Sequence, residues 1–264
     1  MKRLVKLFIS LMVWTGGSIL RLVRSFSGGH RQPEAVVLYY HAIKTGQRDA
    51  FARQMDRTLQ YAKPWRLDQS PHDARGRFAA VTFDDGFLSV VENALPELKK
   101  RDFPFTVFFP TGSWGKRPSW IRDPKHSSWE ERVLSREELR VLGTEPLVTI
   151  GSHSVNHPNF LRLDTATAAK EFRESKQDLE SVLGRTVGLF SFPHGAHNEG
   201  LVIQARNEGY LRVFTVEPTT TNPTQPGFVV GRVLVDPDDW PIEFFLKLRG
   251  AYRWMAKHRH GSAA

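Results

Sequence analysis

Ala79-Ala80-Val81-Thr82-Phe83-Asp84-Asp85-Gly86-Phe87 is an apolar run that ends on two adjacent carboxylates and a glycine. The first five residues suit a buried strand, and the glycine permits a sharp turn at its end. Two neighbouring carboxylates repel, so burying both calls for a proton or a cation between them. A metal ion would meet that need and leave one carboxylate free to act as a base. The plain alternative is a helix cap, in which Asp accepts backbone N–H groups.

The same strand-then-polar-residue pattern recurs along the chain. Strands are expected at 35–40, 79–83, 104–109, 147–151, 187–192, 211–216 and 228–235. Helical periods fit 49–62, 87–101, 135–142, 165–183, 198–208 and 241–257. Asp164 or Thr165 can cap the helix at 165–183 and Gly184 can end it, while Pro96 should kink or break the helix after Phe87. Such alternation gives a parallel sheet, and the number of units implies an α/β fold: a distorted or incomplete parallel (β/α)7 barrel. His41, Asp84 with Asp85, His153 and Pro193–Gly195 each follow the C-terminal end of an expected strand. In a parallel barrel those ends share one face, so the four segments should converge on one mouth.

Gly151-Ser152-His153-Ser154-Val155-Asn156-His157-Pro158 adds a second chemical signal. Two histidines four apart can reach one ion from the same side of a helical turn. Ser154 follows the first, so the His-Glu-x-x-His zinc-protease pattern does not apply. A polar loop or a cap would also accommodate the pair. Joined by one Asp, they would make an Asp/His/His site with open positions, which is the ligand count of a catalytic centre.

Thr82-Phe83-Asp84-Asp85-Gly86 and His153-Ser154-Val155-Asn156-His157 resemble the first two motifs of the polysaccharide deacetylases, the family-four carbohydrate esterases with a NodB-homology domain. Phe190-Ser191-Phe192-Pro193-His194-Gly195 is similar to their third, which often reads Arg-x-Pro-x-Gly. The resemblance covers residues 34 to 255 in order and spacing. It implies that Asp84 is the catalytic base, and that Asp85, His153 and His157 bind a divalent metal ion, zinc first among the candidates. It also implies a hydrolase that removes N- or O-acetyl groups from a polysaccharide or related glycoconjugate. Pro193 and His194 would then lie against the substrate or its oxyanion. Two departures stand out. Ser191 occupies the place of the third-motif Arg, for which Arg232 in Val229-Val230-Gly231-Arg232-Val233 is the candidate substitute. The family's late Leu-His motif is absent after residue 200, and Val36-Val37-Leu38-Tyr39-Tyr40-His41 resembles the exopolysaccharide-deacetylase branch, whose early Tyr-His carries the general acid. That role is transferred to His41. Rival readings are a deacylase or deformylase of a lipid-linked sugar, and a carbohydrate-binding domain of the same fold with impaired catalysis.

The chain has 264 residues, no cysteine and a net charge of +9. Its length suits one α/β domain with appendages, and the lack of cysteine excludes disulfides and thiol chemistry. Lys2, Arg3, Lys6, Arg21 and Arg24 lie in the first thirty residues with no acid among them, so much of the excess belongs to one apolar segment. That placement points to a membrane surface rather than to nucleic acid. The uncharged run Leu7–Leu20 would span about 21 Å as a helix, short of a bilayer's hydrocarbon core. The five cations fall within one arc of about 100°, with Ser10 and Gly17. This reads as an interfacial helix with its cationic side toward lipid headgroups; a signal anchor and a cleaved signal are the alternatives. The expected organisation is a membrane-associated helix and linker over 1–30 and a catalytic domain over 31–264, at a bacterial inner membrane.

Residues 112–132 form the longest irregular insertion and carry Trp114, Trp120 and Trp129. Such rings could stack on sugar, Trp120 being the candidate, or pack on the barrel. Asp236-Pro237-Asp238 has the carboxylate spacing of a glycosyltransferase metal site but, without a nucleotide-binding context, reads as a turn.

Overall fold

The computed structural model describes residues 2–26, 32–71, 73 and 75–256, with side chains of residues 21–26 outside the description. Residues 27–31 of the linker expected over 25–33, and the side chains of Arg21 and Arg24, therefore lie outside the described residues.

After the N-terminal helix α1 (Lys2–Phe26), the chain alternates strands and helices. The strands are β1 (Glu34–Tyr40), β2 (Lys63–Pro64), β3 (Arg77–Phe83), β4 (Phe105–Phe109), β5 (Val148–Ser152), β6 (Leu189–Ser191), β7 (Arg212–Thr215), β8 (Thr220–Thr221), β9 (Val229–Gly231) and β10 (Val233–Leu234). The helices are α2 (Arg48–Tyr61), α3 (Leu95–Lys99), α4 (Arg136–Gly143), α5 (Thr165–Leu183), α6 (Glu199–Asn207) and α7 (Pro241–Leu248).

The sheet runs β10-β1-β3-β4-β5-β6-β7-β9, parallel throughout that path. Its two edges are pieces of one expected strand. β9 pairs with β7, β10 pairs with β1, and Arg232 alone separates them. The run 228–235 thus crosses from one edge of the sheet to the other and nearly closes the barrel. Counting that segment once gives the expected seven-stranded distorted barrel.

Strand side chains alternate between two cores, as a sheet covered on both faces requires. Ala35, Val37, Phe78, Ala80, Phe108, Phe214 and Val230 fill the barrel interior, with Trp65 and Leu67 in the same cluster. Val36, Leu38, Tyr40, Val81, Phe83, Val107 and Phe109 face the helices.

Local signals explain the helix ends. Asp164 caps α5 by accepting the Thr167 N–H at 2.9 Å, and Gly184 ends it in a left-handed conformation (φ 66°). Ser135 and Glu138 form a reciprocal capping box at α4. Pro96 breaks the expected 87–101 helix: residues Val90–Ala94 form a widened π turn before α3. A proline lacks an N–H and crowds the carbonyl four residues back, which favours such a defect. The expected helix 241–257 is also shortened. α7 stops at Leu248, Gly250 turns left-handed, and Ala251–Met255 form a 3-10 turn.

The N-terminal helix departs from expectation in its orientation. Part of its polar side, Arg3 and Ser10, meets the barrel domain, while Lys2 and Lys6 stay exposed. Arg3 Nε donates to Glu243 at 2.8 Å and its guanidinium lies 4.4 Å from the Trp240 ring centre. Trp254 Nε1 donates to the buried Ser10 hydroxyl at 2.9 Å, and Trp14 meets Phe245 edge to face at 5.4 Å. The physical reason is that Glu243 offers an opposite charge to Arg3 and Trp254 a donor to the Ser10 hydroxyl. Leu4, Val5, Phe8, Leu11, Met12, Ile19 and Leu20 are left exposed.

Candidate active site

β3 ends at Phe83, and Asp84 continues its inward face beside Thr82. Asp85 then takes a left-handed backbone (φ 69°), as does Gly86 (φ 61°), which turns the second carboxylate toward the barrel mouth. Gly86 has no substitute here: a Cβ would lie 2.3 Å from the Phe109 ring in addition to the φ penalty.

Asp84 is buried and paired with Arg232, the largest fully buried side chain of the described residues. Arg232 Nη1 donates to Asp84 Oδ1 at 2.7 Å and Nη2 to Oδ2 at 2.8 Å. The remaining donors are also used: Nη1 bonds Thr82 Oγ1 (3.1 Å), Nη2 bonds Ser191 Oγ (2.7 Å), and Nε bonds the Thr215 carbonyl (3.3 Å). Rings of Tyr39 and Phe108 flank the guanidinium at 4.6 and 5.2 Å. Burial alone would raise the Asp84 carboxyl. The Arg232 charge and its hydrogen bonds outweigh it and hold Asp84 below the ordinary carboxylate range.

Asp85, His153 and His157 form the one cluster of three or more potential ligands among the described residues, with ligand atoms within 4.8 Å of one another. His157 Nε2 lies 3.3 Å and His153 Nε2 3.8 Å from Asp85 Oδ1. Burial pushes the His153 imidazole down to about 4, so it is neutral and offers a lone pair at ordinary pH. Its Nδ1 lies 2.7 Å from the Ser191 carbonyl, so a proton there leaves Nε2 free to ligate. Burial would also raise Asp85, but His157 beside it, with His41, holds it below the carboxylate range.

A divalent cation fits this donor set. Asp85 Oδ1 is buried without a hydrogen-bond partner, and an anionic oxygen left bare would cost several kcal/mol. Two ligands of a tetrahedral first-row ion stand about 3.3 Å apart, given ligand distances of about 2.0–2.1 Å. The Asp85–His157 spacing of 3.3 Å matches that figure, and the Asp85–His153 spacing of 3.8 Å is somewhat longer.

The His153–His157 loop holds two further left-handed residues, Ser154 (φ 70°) and His157 (φ 54°). Such geometry persists only where neighbours impose it. Here the buried Glu171 of α5 imposes it: Oε2 accepts the N–H groups of Val155 (2.8 Å) and Asn156 (2.9 Å), and Oε1 accepts Asn156 Nδ2 (2.6 Å). Ser154 Oγ accepts the His157 N–H at 3.0 Å. Sequence reasoning missed Glu171. The signal was present, because it falls between Ala168 and Phe172 on the buried stripe of α5, where a carboxylate needs a partner.

The other expected residues gather at the same mouth with different standing. His41 follows β1 and is exposed, its ring edge-on to Tyr39 at 5.8 Å; its charge is felt by both Asp84 and Asp85. Pro193 is buried and His194 exposed (φ 57°), its ring 4.6 Å from that of His157. Trp120 stacks on His157 at 4.6 Å and 20°. The end of the insertion is laced to the segment after the Asp-Asp-Gly turn, where Leu88 N donates to Arg132 O at 2.8 Å and Leu134 N to Gly86 O at 2.9 Å. Trp114 packs against Phe109 at 4.5 Å and Trp129 lies under Arg117, so neither is placed over the site. Asp236-Pro237-Asp238 is a turn, closed by Asp238 N to Asp236 Oδ1 at 2.8 Å.

A family model described as polysaccharide deacetylase matches residues 72–213, more than half of the chain. The chain belongs to the polysaccharide deacetylase family. Its members are hydrolases, and relatives named as N-deacetylases act on carbon–nitrogen bonds. YxkH of Bacillus subtilis (strain 168), which bears the family's name, is 26% identical over 216 residues, covering 76% of this chain and 71% of its own. The poly-beta-1,6-N-acetyl-D-glucosamine N-deacetylase of Staphylococcus aureus (strain MSSA476) is 23% identical over 166 residues, 60% of this chain. That match spans about half, 54%, of the staphylococcal enzyme. Among solved structures, IcaB from Ammonifex degensii superposes with a TM-score of 0.65 at 27% identity, over 83% of this chain and 100% of that one. The family match runs from β3 to the start of β7 and so includes Asp84, Asp85, His153 and His157, whereas His41 and Arg232 lie outside it.

Proposed function

We propose that this chain is a metal-dependent deacetylase that hydrolyses acetyl groups, N-acetyl first, on a polysaccharide or related glycoconjugate. The observation that carries the reading is the division of labour between neighbouring carboxylates. Asp85 joins His153 and His157 in a cation-sized donor set, while Asp84 is kept ionised by a buried Arg232.

Asp85, His153 and His157 would hold the ion, with zinc the first candidate from its two imidazoles and one carboxylate. When bound, the ion supplies positive charge that polarises the acetyl carbonyl and makes water more acidic. Asp84 accepts the proton of the attacking water, and Arg232 fixes the plane and charge of that carboxylate. Attack places negative charge on the former carbonyl oxygen. The backbone N–H of His194, a left-handed residue in the Pro193–Gly195 turn, is the candidate donor to that oxyanion. His41, exposed at the rim, gives a proton to the departing amine as the carbon–nitrogen bond breaks, releasing acetate. Trp120 presents an aromatic face to a sugar ring beside His157.

The substrate class rests on the relatives' names, which include a poly-N-acetylglucosamine N-deacetylase. A second reading, deacylation of a lipid-linked sugar, is favoured by a cavity of about 560 Å³ that runs from Tyr39 and His194–His197 to Lys6 of α1. Residues 31–264 would be the catalytic unit, with residues 1–24 holding it to a bacterial inner membrane. Acetate release from acetylated glucosamine oligomers and from lipid-linked acetylated sugars, with and without a chelator, tests the proposal. Release that a chelator abolishes and a divalent metal restores is expected; release indifferent to the chelator would overturn it.

A further inference from the structure

The membrane reading of α1 leaves open how the helix sits, and its contacts decide between spanning and lying flat. The domain holds the helix along one side from Arg3 through Ser10 to Trp14. At 1.5 Å per residue that docked stretch is about 16 Å long. A spanning helix needs lipid or protein of matching polarity around it for about 30 Å. The remaining residues to Phe26 are too few to span while the docking persists.

The opposite side of α1 is bare. Leu4, Phe8, Met12 and Ile19 are each more than half exposed, on a helix that carries no acidic residue. Exposed Lys2 and Lys6 lie between that apolar side and the docked side at the helical angle of 100° per residue. Cations at the border of an apolar stripe suit anionic headgroups. The domain adds exposed apolar residues of its own where it meets the docked side of α1. Trp240 and Ile242, at the start of α7, and Trp254 and Met255, in the 3-10 turn, are exposed beside the helix. Trp240 touches Arg3 and Trp254 touches Ser10, so both are adjacent to it. Tryptophan at such a rim is suited to the headgroup level of a bilayer.

We infer that α1 lies in the plane of an anionic bilayer while docked on the catalytic domain, and that the Trp240–Ile242 and Trp254–Met255 rim rests on the same bilayer. The inference rests on the membrane reading of α1. It adds that the domain itself contributes membrane contacts, and that Lys6 and Met255, which wall the cavity leading to His194, fix the catalytic mouth beside the lipid surface.

Cysteine pairs test this cleanly because the chain has none of its own. The full chain carrying Ser10→Cys and Trp254→Cys, bridged by a short bis-maleimide, should sediment with anionic vesicles as well as the unbridged form. Binding lost on bridging would overturn the docked arrangement, whereas no binding by either form would sink the membrane reading itself. Spin labels on Leu4→Cys, Phe8→Cys and Met12→Cys should report one shallow depth. A progressive change of about 12 Å from residue 4 to residue 12 would mean a spanning helix. With α1 intact, Ile242→Gln with Met255→Gln should weaken vesicle binding severalfold while circular dichroism is unchanged. Unaltered binding would remove the rim from the proposal, and a dimer that persists unchanged with vesicles present would give the apolar face to a second copy of the chain.

Discussion

Arg232 and Asp84 are 148 residues apart in sequence and meet through two parallel hydrogen bonds of 2.7 and 2.8 Å inside the barrel. Ser191, which stands where relatives often carry the arginine, accepts a third bond from the same guanidinium at 2.7 Å. The positive charge therefore approaches the Asp84 carboxylate from the segment that nearly closes the barrel, and a small hydroxyl at 191 leaves room for it. Arg232→Met should strand a buried carboxylate, costing about 3–5 kcal/mol of stability and most of the activity. Arg232→Lys should recover little, because a point charge cannot reproduce the paired bonds. Denaturant melts and acetate-release rates for the two variants check this. A fully active Arg232→Met enzyme would show that Asp84 needs no partner.

The two aspartates should separate by role. Asp85→Asn should empty the metal site, since Asp85 is the one carboxylate in the donor cluster. Asp84→Asn should keep the metal and lose on the order of 10²–10⁴ in rate, the range for a general base. Metal content by elemental analysis, measured alongside turnover, distinguishes them. Full metal occupancy after His153→Ala with His157→Ala would remove the assignment of the site.

Much of this site was legible from residue order, because each motif follows a strand and parallel barrels bring strand ends together. Other parts depend on long-range geometry. Residues 228–235 read as one strand, and only barrel closure explains why they split at Arg232. The periodicity of α1 separates a polar from an apolar side, but its partner Glu243 lies 240 residues away and decides which side docks. Left-handed Ser154 and His157 have no signature in residue type; their conformation is imposed by Glu171.

Glu171 gives a prediction from that imposed geometry. Glu171→Gln keeps the shape and loses the charge that gathers two backbone N–H groups and the Asn156 amide. Metal affinity should fall by about 10–100-fold, the usual effect of a group that orients ligands. Saturating metal should restore most of the rate, because no reacting group is lost. Metal titration monitored by calorimetry reads the affinity, and unchanged affinity would mean the loop holds its shape unaided.

His41 as the general acid predicts the alkaline limb of the pH–rate profile: rate falls as the imidazole loses its proton. His41→Ala should abolish that limb. An amine is a poor leaving group without a proton, so the loss should be much larger on an acetamide than on an activated ester. Equal losses on both substrates would place His41 in a structural role.

Acid stability should report a different carboxylate, away from the mouth. Glu97 is buried, and Lys100, with Arg48 and Arg101, holds its carboxyl down to about 2 through bonds of 2.8 to 3.0 Å. Its pKa in the unfolded chain is about 4.3. Because the folded value is the lower one, the stabilisation is complete above the unfolded value and is lost as pH falls from there through about 2. Glu97→Gln should therefore be less stable than the parent at pH 7, and the difference should shrink steadily between about pH 5 and 2. Lys100 is 63% exposed, so salt should reduce the difference further at pH 7. Urea midpoints across that pH range are the measurement. A gap between the two proteins that stays constant down to pH 2 would mean that Glu97 contributes through packing and not through its charge.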